Sequence, residues 1–339
     1  MRAICGSSEQ ETTDLNTRTL GKTGYTVSEI GLGCWQLGGD FGPVGDETAR
    51  DILKTARSLD VNFWDTADVY GGGQSEERIG AFRDKKDVLV ATKLGRGGQF
   101  DGMKRYTRER VKESLAGSLK RLGVDVLDLA QLHCIPIDVL RDGEVFTWLD
   151  DMRDAGMIRH WGASVQTVEE GLLALRSASC ASLQTIFNLF RQDAVDTLLP
   201  AAEKANVGII VRLPLASGLL SGKFTKDTKF TDGDHRTYNR EGDAFYVGET
   251  FSGLPFEKGV AFADQLKQMT PKGMTLAHLA LRWILDQPAV STIIAGVTRP
   301  AQLKDNVEAS RMDPLPAGLV EKLKGFYLDK VRPEVRGGI

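Results

Sequence analysis

Short apolar runs alternate with segments of helical periodicity along most of the chain. In the helical segment at 46–59, for example, Ile52, Leu53, Ala56 and Leu59 fall on one face. The apolar runs are typical of buried strands, and we predict eight of them, at 30–35, 61–65, 87–93, 126–133, 158–164, 182–188, 207–213 and 292–296. Helices are predicted between and after them at 46–59, 75–82, 107–122, 138–155, 168–177, 193–205 and 300–309.

Eight buried strands that alternate with helices predict a parallel sheet, and eight is the number that closes a (β/α)8 TIM barrel. A doubly wound open sheet is the competing arrangement. We favour one barrel domain at 18–339 because no break in composition suggests a second domain. A flexible tail is expected at 1–17, and a hairpin at 19–29.

One long polar segment interrupts the alternation after the seventh strand. Residues 217–255 are rich in glycine, aspartate and threonine and show little periodicity. A loop of this length inside a compact domain is usually functional, and is often a lid. Helical patterns follow it at 256–269 and 275–287.

Composition limits the classes of function. An apolar fraction of 41% and a charged fraction of 26% allow a full core, and a net charge of −3 gives no basis for nucleic-acid binding. The four cysteines have no zinc-ligand spacing, so we predict no metal and free thiols. We find no apolar run long enough for a membrane span and no secretion signal, and therefore predict a cytoplasmic protein.

Four polar residues lie at or just after three consecutive predicted strand ends: Asp65, Tyr70, Lys93 and His133. A phenol with its usual pKa near 10 is a poor acid at neutral pH. An ammonium about 4 Å away would lower that pKa by up to about three units at an effective dielectric of about 20. The carboxylate would keep the lysine charged. The set therefore favours proton donation to an oxygen that gains negative charge, as in carbonyl reduction.

Other interpretations of these residues stay open. Asp65 and Lys93 could form a structural ion pair, Tyr70 could pack in its loop, and His133 could be a hydrogen-bonded core histidine. Lys93 could form a Schiff base, as in a barrel aldolase. Asp65, Asp68 and His133 could bind a metal.

Several motifs resemble those of the aldo-keto reductase family. They are Phe63-Trp64-Asp65-Thr66-Ala67 with Tyr70, Ala91-Thr92-Lys93, Gln131-Leu132-His133, the run at 214–223, and Gly296 with Thr298, Gln302 and Asn306. The match extends from about 19 to 311. The resemblance implies a (β/α)8 barrel that reduces aldehydes and ketones with NADPH. It also implies a catalytic tetrad of Asp65, Tyr70, Lys93 and His133, with Tyr70 as the general acid.

The resemblance implies NADP(H), with NADH less favoured, and a small carbonyl or sugar-like substrate beside Trp35, Tyr70 and His133. Arg299 beside a helix N-terminus suits the extra phosphate of NADPH. The implied cofactor residues are Cys34, Trp35, Asp65, Ser164, Gln184, Arg212, Pro214, Leu215, Ser217, Lys223, Arg236, Gly296, Thr298, Arg299, Gln302 and Asn306.

Two positions depart from the family pattern. Val165 replaces the usual asparagine, and Arg212 stands where many members stack an aromatic ring on the nicotinamide. An alternative function is a redox-sensing NADP(H)-binding partner protein with little turnover, similar to the potassium-channel β subunits. The pattern of the sequence does not indicate an oligomeric state.

Overall fold

Ten strands and twelve helices make up the part of the chain that the computed structural model describes, which is residues 15–39, 41–82, 84–97, 100 and 105–339. The strands are β1 (Thr17–Thr19), β2 (Thr26–Ser28), β3 (Ile30–Gly33), β4 (Phe63–Asp65), β5 (Leu89–Leu94), β6 (Leu127–His133), β7 (Ile158–Ser164), β8 (Cys180–Ile186), β9 (Gly208–Arg212) and β10 (Val290–Gly296). The helices are α1 (Asp46–Ser58), α2 (Gln74–Ala81), α3 (Arg108–Leu122), α4 (Ile137–Asp142), α5 (Glu144–Asp154), α6 (Val168–Ala174), α7 (Leu198–Lys204), α8 (His235–Tyr238), α9 (Phe256–Met269), α10 (Leu276–Leu285), α11 (Pro300–Glu308) and α12 (Ala317–Phe326).

Strands β3 to β10 form a closed barrel, which confirms the predicted fold class. They follow one another around the barrel in chain order, and β10 closes it by pairing with β3. Every neighbouring pair is parallel. The carboxyl ends of all eight strands therefore meet at one mouth of the barrel.

The predicted hairpin closes the opposite end. Strands β1 and β2 pair antiparallel, and Gly24 makes the turn with a φ of 74°. Leu20 and Val27 from the hairpin are fully buried against the barrel interior. The N–H of Lys22 donates to the carbonyl of Asn206, just before β9, at 2.8 Å. The barrel is therefore sealed by apolar packing at its amino-terminal end.

Some predicted boundaries were wrong for local reasons. The helix expected at 138–155 is two helices, because Gly143 between them takes a φ of 82° that a continuing helix does not allow. Ser75 does not cap α2. It lies within the helix, and its hydroxyl donates to the carbonyl of Cys34. Helix α12 was not predicted. It packs Leu323 and Phe326 on the core.

The long segment at 217–255 covers the mouth of the barrel, and hydrogen bonds fix it both internally and to the rest of the fold. Within the segment, the hydroxyl of Ser217 donates to the carbonyl of Glu249 at 3.3 Å and accepts from the N–H of Phe251 at 3.1 Å. The amide of Asn188 donates to the Ser252 hydroxyl at 2.9 Å. From the carboxyl-terminal side, the guanidinium of Arg336 donates to the carbonyl of Gly253 at 2.9 Å. We call residues 217–255 the cover segment.

Residues 1–14 of the expected tail lie outside the described residues. Of the last three residues of that range, Leu15 is buried and Thr17 begins β1. None of the described helices combines the length and the apolar character that crossing a bilayer requires.

Candidate active site

The predicted catalytic residues all project from the carboxyl-terminal mouth of the barrel. Asp65 is the last residue of β4, Lys93 lies near the end of β5, and His133 is the last residue of β6. The strands are parallel neighbours, and Asp65 pairs with Ala91 and Lys93 with Gln131, so the three strand ends lie side by side on the barrel wall. The spacing of the strands along the sequence is what brings the three side chains together.

Asp65 and Lys93 form a buried ion pair at the base of the site. The ammonium of Lys93 is 2.5 Å from the Asp65 carboxylate, and the two side chains are 1% and 3% exposed. The same ammonium donates to the carbonyl of Thr66 at 2.8 Å. Burial alone lowers the pKa of Lys93, but the Asp65 carboxylate and the Tyr70 hydroxyl together raise it above its usual value. Lys93 is therefore held charged.

The second carboxylate oxygen of Asp65 is also saturated. Gln131 donates to it from β6 at 2.9 Å, and Gln184 donates to it from β8 at 2.8 Å. Gln184 also donates to the side-chain oxygen of Gln131 at 3.1 Å. These bonds supply the partners that a buried charge needs. Gln131 belongs to the quoted Gln131-Leu132-His133 motif, but the sequence did not indicate this role for it.

Tyr70 reaches the ion pair from a glycine turn after β4. A side chain at Gly71 would collide with the carbonyl of Gly38 at 2.5 Å, so only glycine allows the two turns to touch. The ring of Tyr70 stacks on Trp35, with centroids 5.7 Å apart and an angle of 18°. Its hydroxyl accepts from the ammonium of Lys93 at 3.2 Å. The phenol is thus fixed from both sides.

The expectation that Lys93 makes Tyr70 more acidic than a free phenol was wrong. Burial raises the pKa of Tyr70, and the Lys93 ammonium lowers it by less, so the net pKa lies above the usual value. The Asp65 carboxylate adds to the increase because it disfavours a second negative charge nearby. Tyr70 is consequently a neutral proton donor at physiological pH.

His133 is also neutral. Burial lowers its pKa well below the usual value, and the nearby charges of Arg96, Lys93 and Arg212 lower it further. Its ring lies edge-on to Tyr70 with centroids 5.7 Å apart. Its Nε2 atom is 3.5 Å from Nη1 of Arg96, and its Nδ1 atom is buried without a partner among the described residues.

The geometry weighs against the two other chemistries. A Schiff base requires a neutral lysine, whereas Lys93 is held charged by its partners. In the metal hypothesis, Asp68 would join Asp65 and His133. Its carboxylate instead accepts from Ser114 on α3 at 3.0 Å. No cluster of three potential metal ligands is found among the described residues.

Two adjoining cavities form a cleft across the barrel mouth. The first, of about 190 Å³, is lined by Asp65, Tyr70 and His133 and by aromatic side chains of the cover segment. The second, of about 340 Å³, extends towards the amino terminus of α11. Gln36 lies in the wall of both, is 8% exposed, and has a buried side-chain oxygen without a partner among the described residues. The shape suits an elongated ligand with one end at Tyr70.

Most residues implied for the cofactor line this cleft. Those in the first cavity are Trp35, Asp65, Gln184, Arg212, Pro214 and Gly296. Those in the second are Pro214, Leu215, Ser217, Lys223, Arg236, Gly296, Thr298, Arg299 and Gln302. Cys34, Ser164 and Asn306 are buried and line neither cavity, although Ser164 lies 3.5 Å from the side-chain oxygen of Gln184.

The far end of the cleft is positively charged. Arg236 is held by a bidentate pair with Asp234 and lies 4.3 Å from the ring centroid of Phe230. Lys223 and Arg299 are exposed on the same cavity. The side-chain oxygen of Gln302 caps the start of α11 by accepting from the N–H groups of Thr298 and Arg299, at 2.8 and 3.0 Å. Cations beside a helix amino terminus favour an anion here.

The structure adds charged residues that the sequence did not indicate. Glu249 comes from the cover segment and lies 3.0 Å from Arg96 and 3.6 Å from Arg212. Arg212 also donates to the carbonyl of Val165 at 3.0 Å, so the two positions that depart from the family pattern contact each other. Arg96 lies three residues after Lys93, and this position could have indicated that its side chain reaches the site. Glu249 lies in a segment without periodicity, so no pattern in the sequence indicated its role.

Comparison with known families and proteins agrees with this arrangement. The model of the Aldo/keto reductase family matches residues 29–327. Aldo-keto reductase YhdN of Bacillus subtilis is 30% identical over 298 residues, which cover 84% of this chain and 86% of that protein. A probable voltage-gated potassium channel subunit beta of Oryza sativa is 31% identical over 335 residues, 92% of this chain and 97% of that protein.

Solved structures with the same architecture include two reductase-type proteins. The holo form of aldo-keto reductase AKR11C1 from Bacillus halodurans superposes with a TM-score of 0.74 at 25% identity, covering 92% of this chain and 96% of that one. Glycerol dehydrogenase AKR11B4 from Gluconobacter oxydans gives a TM-score of 0.72 at 29% identity, with 95% and 97% covered.

Removing the carboxylate from the buried pair should be costly. We expect Asp65→Asn to lower the free energy of unfolding by about 3–5 kcal/mol, because the charge of Lys93 would stay buried without its partner. Urea denaturation measures the loss. As a matched control, Asp151→Asn removes the exposed pair with Arg108 and should cost at most about 1 kcal/mol. Equal losses in the two variants would contradict the role assigned to burial.

Asp68 should make stability depend on pH in an unusual direction. Burial raises its pKa to about 6, whereas the same carboxyl titrates near pH 4 in the unfolded chain. Between these values only the folded state keeps the proton, so the contribution of Asp68 to stability falls as pH rises. We expect Asp68→Asn to become progressively more stable than the parent protein from pH 4 to pH 7 in thermal melts. The exposed Asp142→Asn should follow the parent at every pH.

Proposed function

Because the chain belongs to the aldo/keto reductase family, whose members reduce carbonyl groups, we propose that it reduces aldehydes and ketones to alcohols, or catalyses the reverse reaction, using NADPH. The single observation that carries this proposal is the placement of Tyr70. Its protonated hydroxyl bonds to Lys93 at one end of a cleft formed by two adjoining cavities.

The residues of the chain supply the proton and the polar environment for the reaction. The substrate carbonyl oxygen would accept a hydrogen bond from Tyr70 and lie beside His133. As negative charge develops on that oxygen, the Tyr70 proton moves to it. The Lys93 ammonium, 3.2 Å away, stabilises the phenolate that remains. Asp65 keeps the ammonium charged and oriented. When bound, the reduced nicotinamide supplies the hydride.

The cleft supports a pyridine nucleotide with an additional phosphate. Ser217, Lys223 and Arg236 line the second cavity and would hold the pyrophosphate, and Arg299 with the start of α11 would hold the adenosine phosphate. The unpartnered oxygen of Gln36 offers an acceptor at the junction of the two cavities. Arg212 would meet the nicotinamide with a planar guanidinium where a ring is more usual.

A reducing, cytoplasmic location is consistent with the cysteines. Cys34, Cys134 and Cys180 are free thiols in the described part of the chain, and burial raises the pKa of each. Such thiols are protonated and inert. We therefore propose that the protein works in the cytoplasm on a small carbonyl or sugar-like compound.

A second function is favoured by a specific observation. Proteins named as probable potassium channel β subunits are 31% and 30% identical to almost the full length of this chain. A redox-sensing partner would bind NADP(H) tightly and turn over very slowly. Steady-state assays with a panel of aldehydes and ketones separate the two functions. Slow turnover together with a stable complex in pull-down would favour the partner role.

The role of Tyr70 as the proton donor is tested by removing its hydroxyl oxygen. We expect Tyr70→Phe to lower kcat/KM for aldehydes by about 10²–10⁴-fold, because the variant keeps the ring but loses the acid. NADPH affinity, measured by fluorescence titration, should change little. Tyr25→Phe, in the hairpin at the opposite end of the barrel, is the matched control and should keep full activity. Equal rates for Tyr70→Phe and the parent would refute the mechanism.

Cofactor preference is tested at the start of α11. We expect Arg299→Gln to weaken NADPH binding about tenfold, since it removes a charge-assisted contact with the phosphate. NADH binding should be unchanged, because NADH lacks that phosphate. Lys304→Gln, exposed on the same helix, should alter neither affinity. A parallel loss of NADPH and NADH affinity in Arg299→Gln would show that Arg299 does not read the phosphate.

A further inference from the structure

A cluster of charged and polar side chains forms one wall of the first cavity, and the reaction proposed above does not use it fully. Glu249 is at its centre, with a side chain only 3% exposed. One of its oxygens faces Arg96 at 3.0 Å and Arg212 at 3.6 Å, and the other accepts from Gln166 at 3.3 Å. Burial raises the pKa of Glu249, but the two arginines lower it by more, so the carboxylate stays ionised.

The charges in this cavity do not balance. Asp65 is neutralised by Lys93, and both Tyr70 and His133 are uncharged. Two guanidinium groups then face the single carboxylate of Glu249, which leaves one positive charge among the described residues of the wall. A low-dielectric cavity with one excess positive charge attracts an anion.

Arg96 is the member of the cluster that a ligand can reach. Its side chain is 23% exposed, against 10% for Arg212, and it stacks 5.0 Å from the ring centroid of Phe245. Glu249 accepts from the Nη1 atom of the guanidinium at 3.0 Å, and no hydrogen bond from the Nε or Nη2 atom is found among the described residues. Its Nη1 atom is 3.5 Å from Nε2 of His133, so the guanidinium lies beside the residue that would hold the reacting carbonyl.

We propose that Arg96 is a specificity-determining residue that binds a carboxylate directly adjacent to the reacting carbonyl, so that short 2-oxo acids and aldehyde acids such as glyoxylate are the substrate class of this site. The inference rests on the proposed function, because it assumes that the carbonyl is held by Tyr70 and His133.

The chemistry of the two groups supports a carboxylate in particular. A guanidinium presents parallel donors that match the two oxygens of a carboxylate. The Glu249 carboxylate fixes the plane of Arg96 in advance, which reduces the entropy lost on binding. The aromatic walls from Trp35 and Phe245 leave a cavity of about 190 Å³, a size that favours a short acid over a long one.

The first test compares substrates that differ only in charge. Pyruvate and methyl pyruvate, and glyoxylate and its methyl ester, carry the same carbonyl with and without the anion. With NADPH, and after correction for the rates of reduction by borohydride, we expect kcat/KM to be at least tenfold higher for the acids in the parent protein. A parent protein that prefers the esters would overturn the inference.

Variants of Arg96 then test whether this residue causes the preference for acids over esters. Arg96→Gln should lower kcat/KM for the acids by about 10–100-fold and shift the acid-to-ester ratio by a similar factor. Arg96→Lys keeps the charge without the planar donors and should retain an intermediate ratio. Arg108→Gln, on an exposed pair of α3 outside the cavity, should keep the parent ratio. An unchanged ratio in Arg96→Gln, in a variant that melts like the parent, would overturn the assignment.

A binding measurement separates this inference from the proposed reductase function. Calorimetric titration with oxamate and with its methyl ester, in the presence of NADP⁺ and in its absence, requires no turnover. Oxamate should bind at least tenfold more tightly than the ester, and Arg96→Gln should abolish the difference. If neither acid nor ester is reduced but this preference is found, the reductase proposal fails while the anion site stands. Equal binding of the two probes would overturn the anion site.

Discussion

The buried ion pair between Asp65 and Lys93 is the interaction on which the rest of the site depends. Removing two charges from water is expensive, and the pair is tolerated because each member has further partners. Gln131 and Gln184 complete the carboxylate, and a backbone carbonyl completes the ammonium. The pair therefore connects four strands at the mouth of the barrel. It also gives Tyr70 a fixed hydrogen-bond donor.

The site combines a rigid part with a part supplied by the cover segment. The barrel strands contribute the ion pair and the uncharged His133, and the turn after β4 contributes the uncharged Tyr70. The cover segment contributes Glu249 and the ring of Phe245. It is fixed to the region after β8 by Asn188 and to the carboxyl-terminal region by Arg336. In the proposed reaction, the proton donor and its charged partners therefore come from β4, β5 and the turn after β4, whereas part of the ligand cavity comes from a loop. This division is common in barrels, where loops vary and strand ends carry the chemistry.

The fold and the grouping of Asp65, Lys93 and His133 could be predicted because both follow from one repeating pattern. Adjacent parallel strands bring their carboxyl ends to the same mouth of the barrel, so no other information was needed. The break at Gly143 depends on the conformation that this one glycine adopts, and the absence of a cap at Ser75 depends on Cys34, a partner distant in sequence. Glu249 was missed for the same reason. The predicted direction of the Tyr70 pKa shift was wrong. The short distance to Lys93 could be inferred from the sequence, whereas the degree of burial, which raises the pKa, could not.

The hairpin that seals the amino-terminal end of the barrel lies far from the reactive groups, so substitutions at the two ends of the barrel have separate effects. Leu20 and Val27 pack into the floor, and the reactive groups lie at the other end of the same strands. Replacements in the floor can alter heat tolerance without meeting a ligand, and replacements around the mouth can alter selectivity without opening the floor. A scaffold partitioned in this manner can be adapted to a new temperature and to a new metabolite independently.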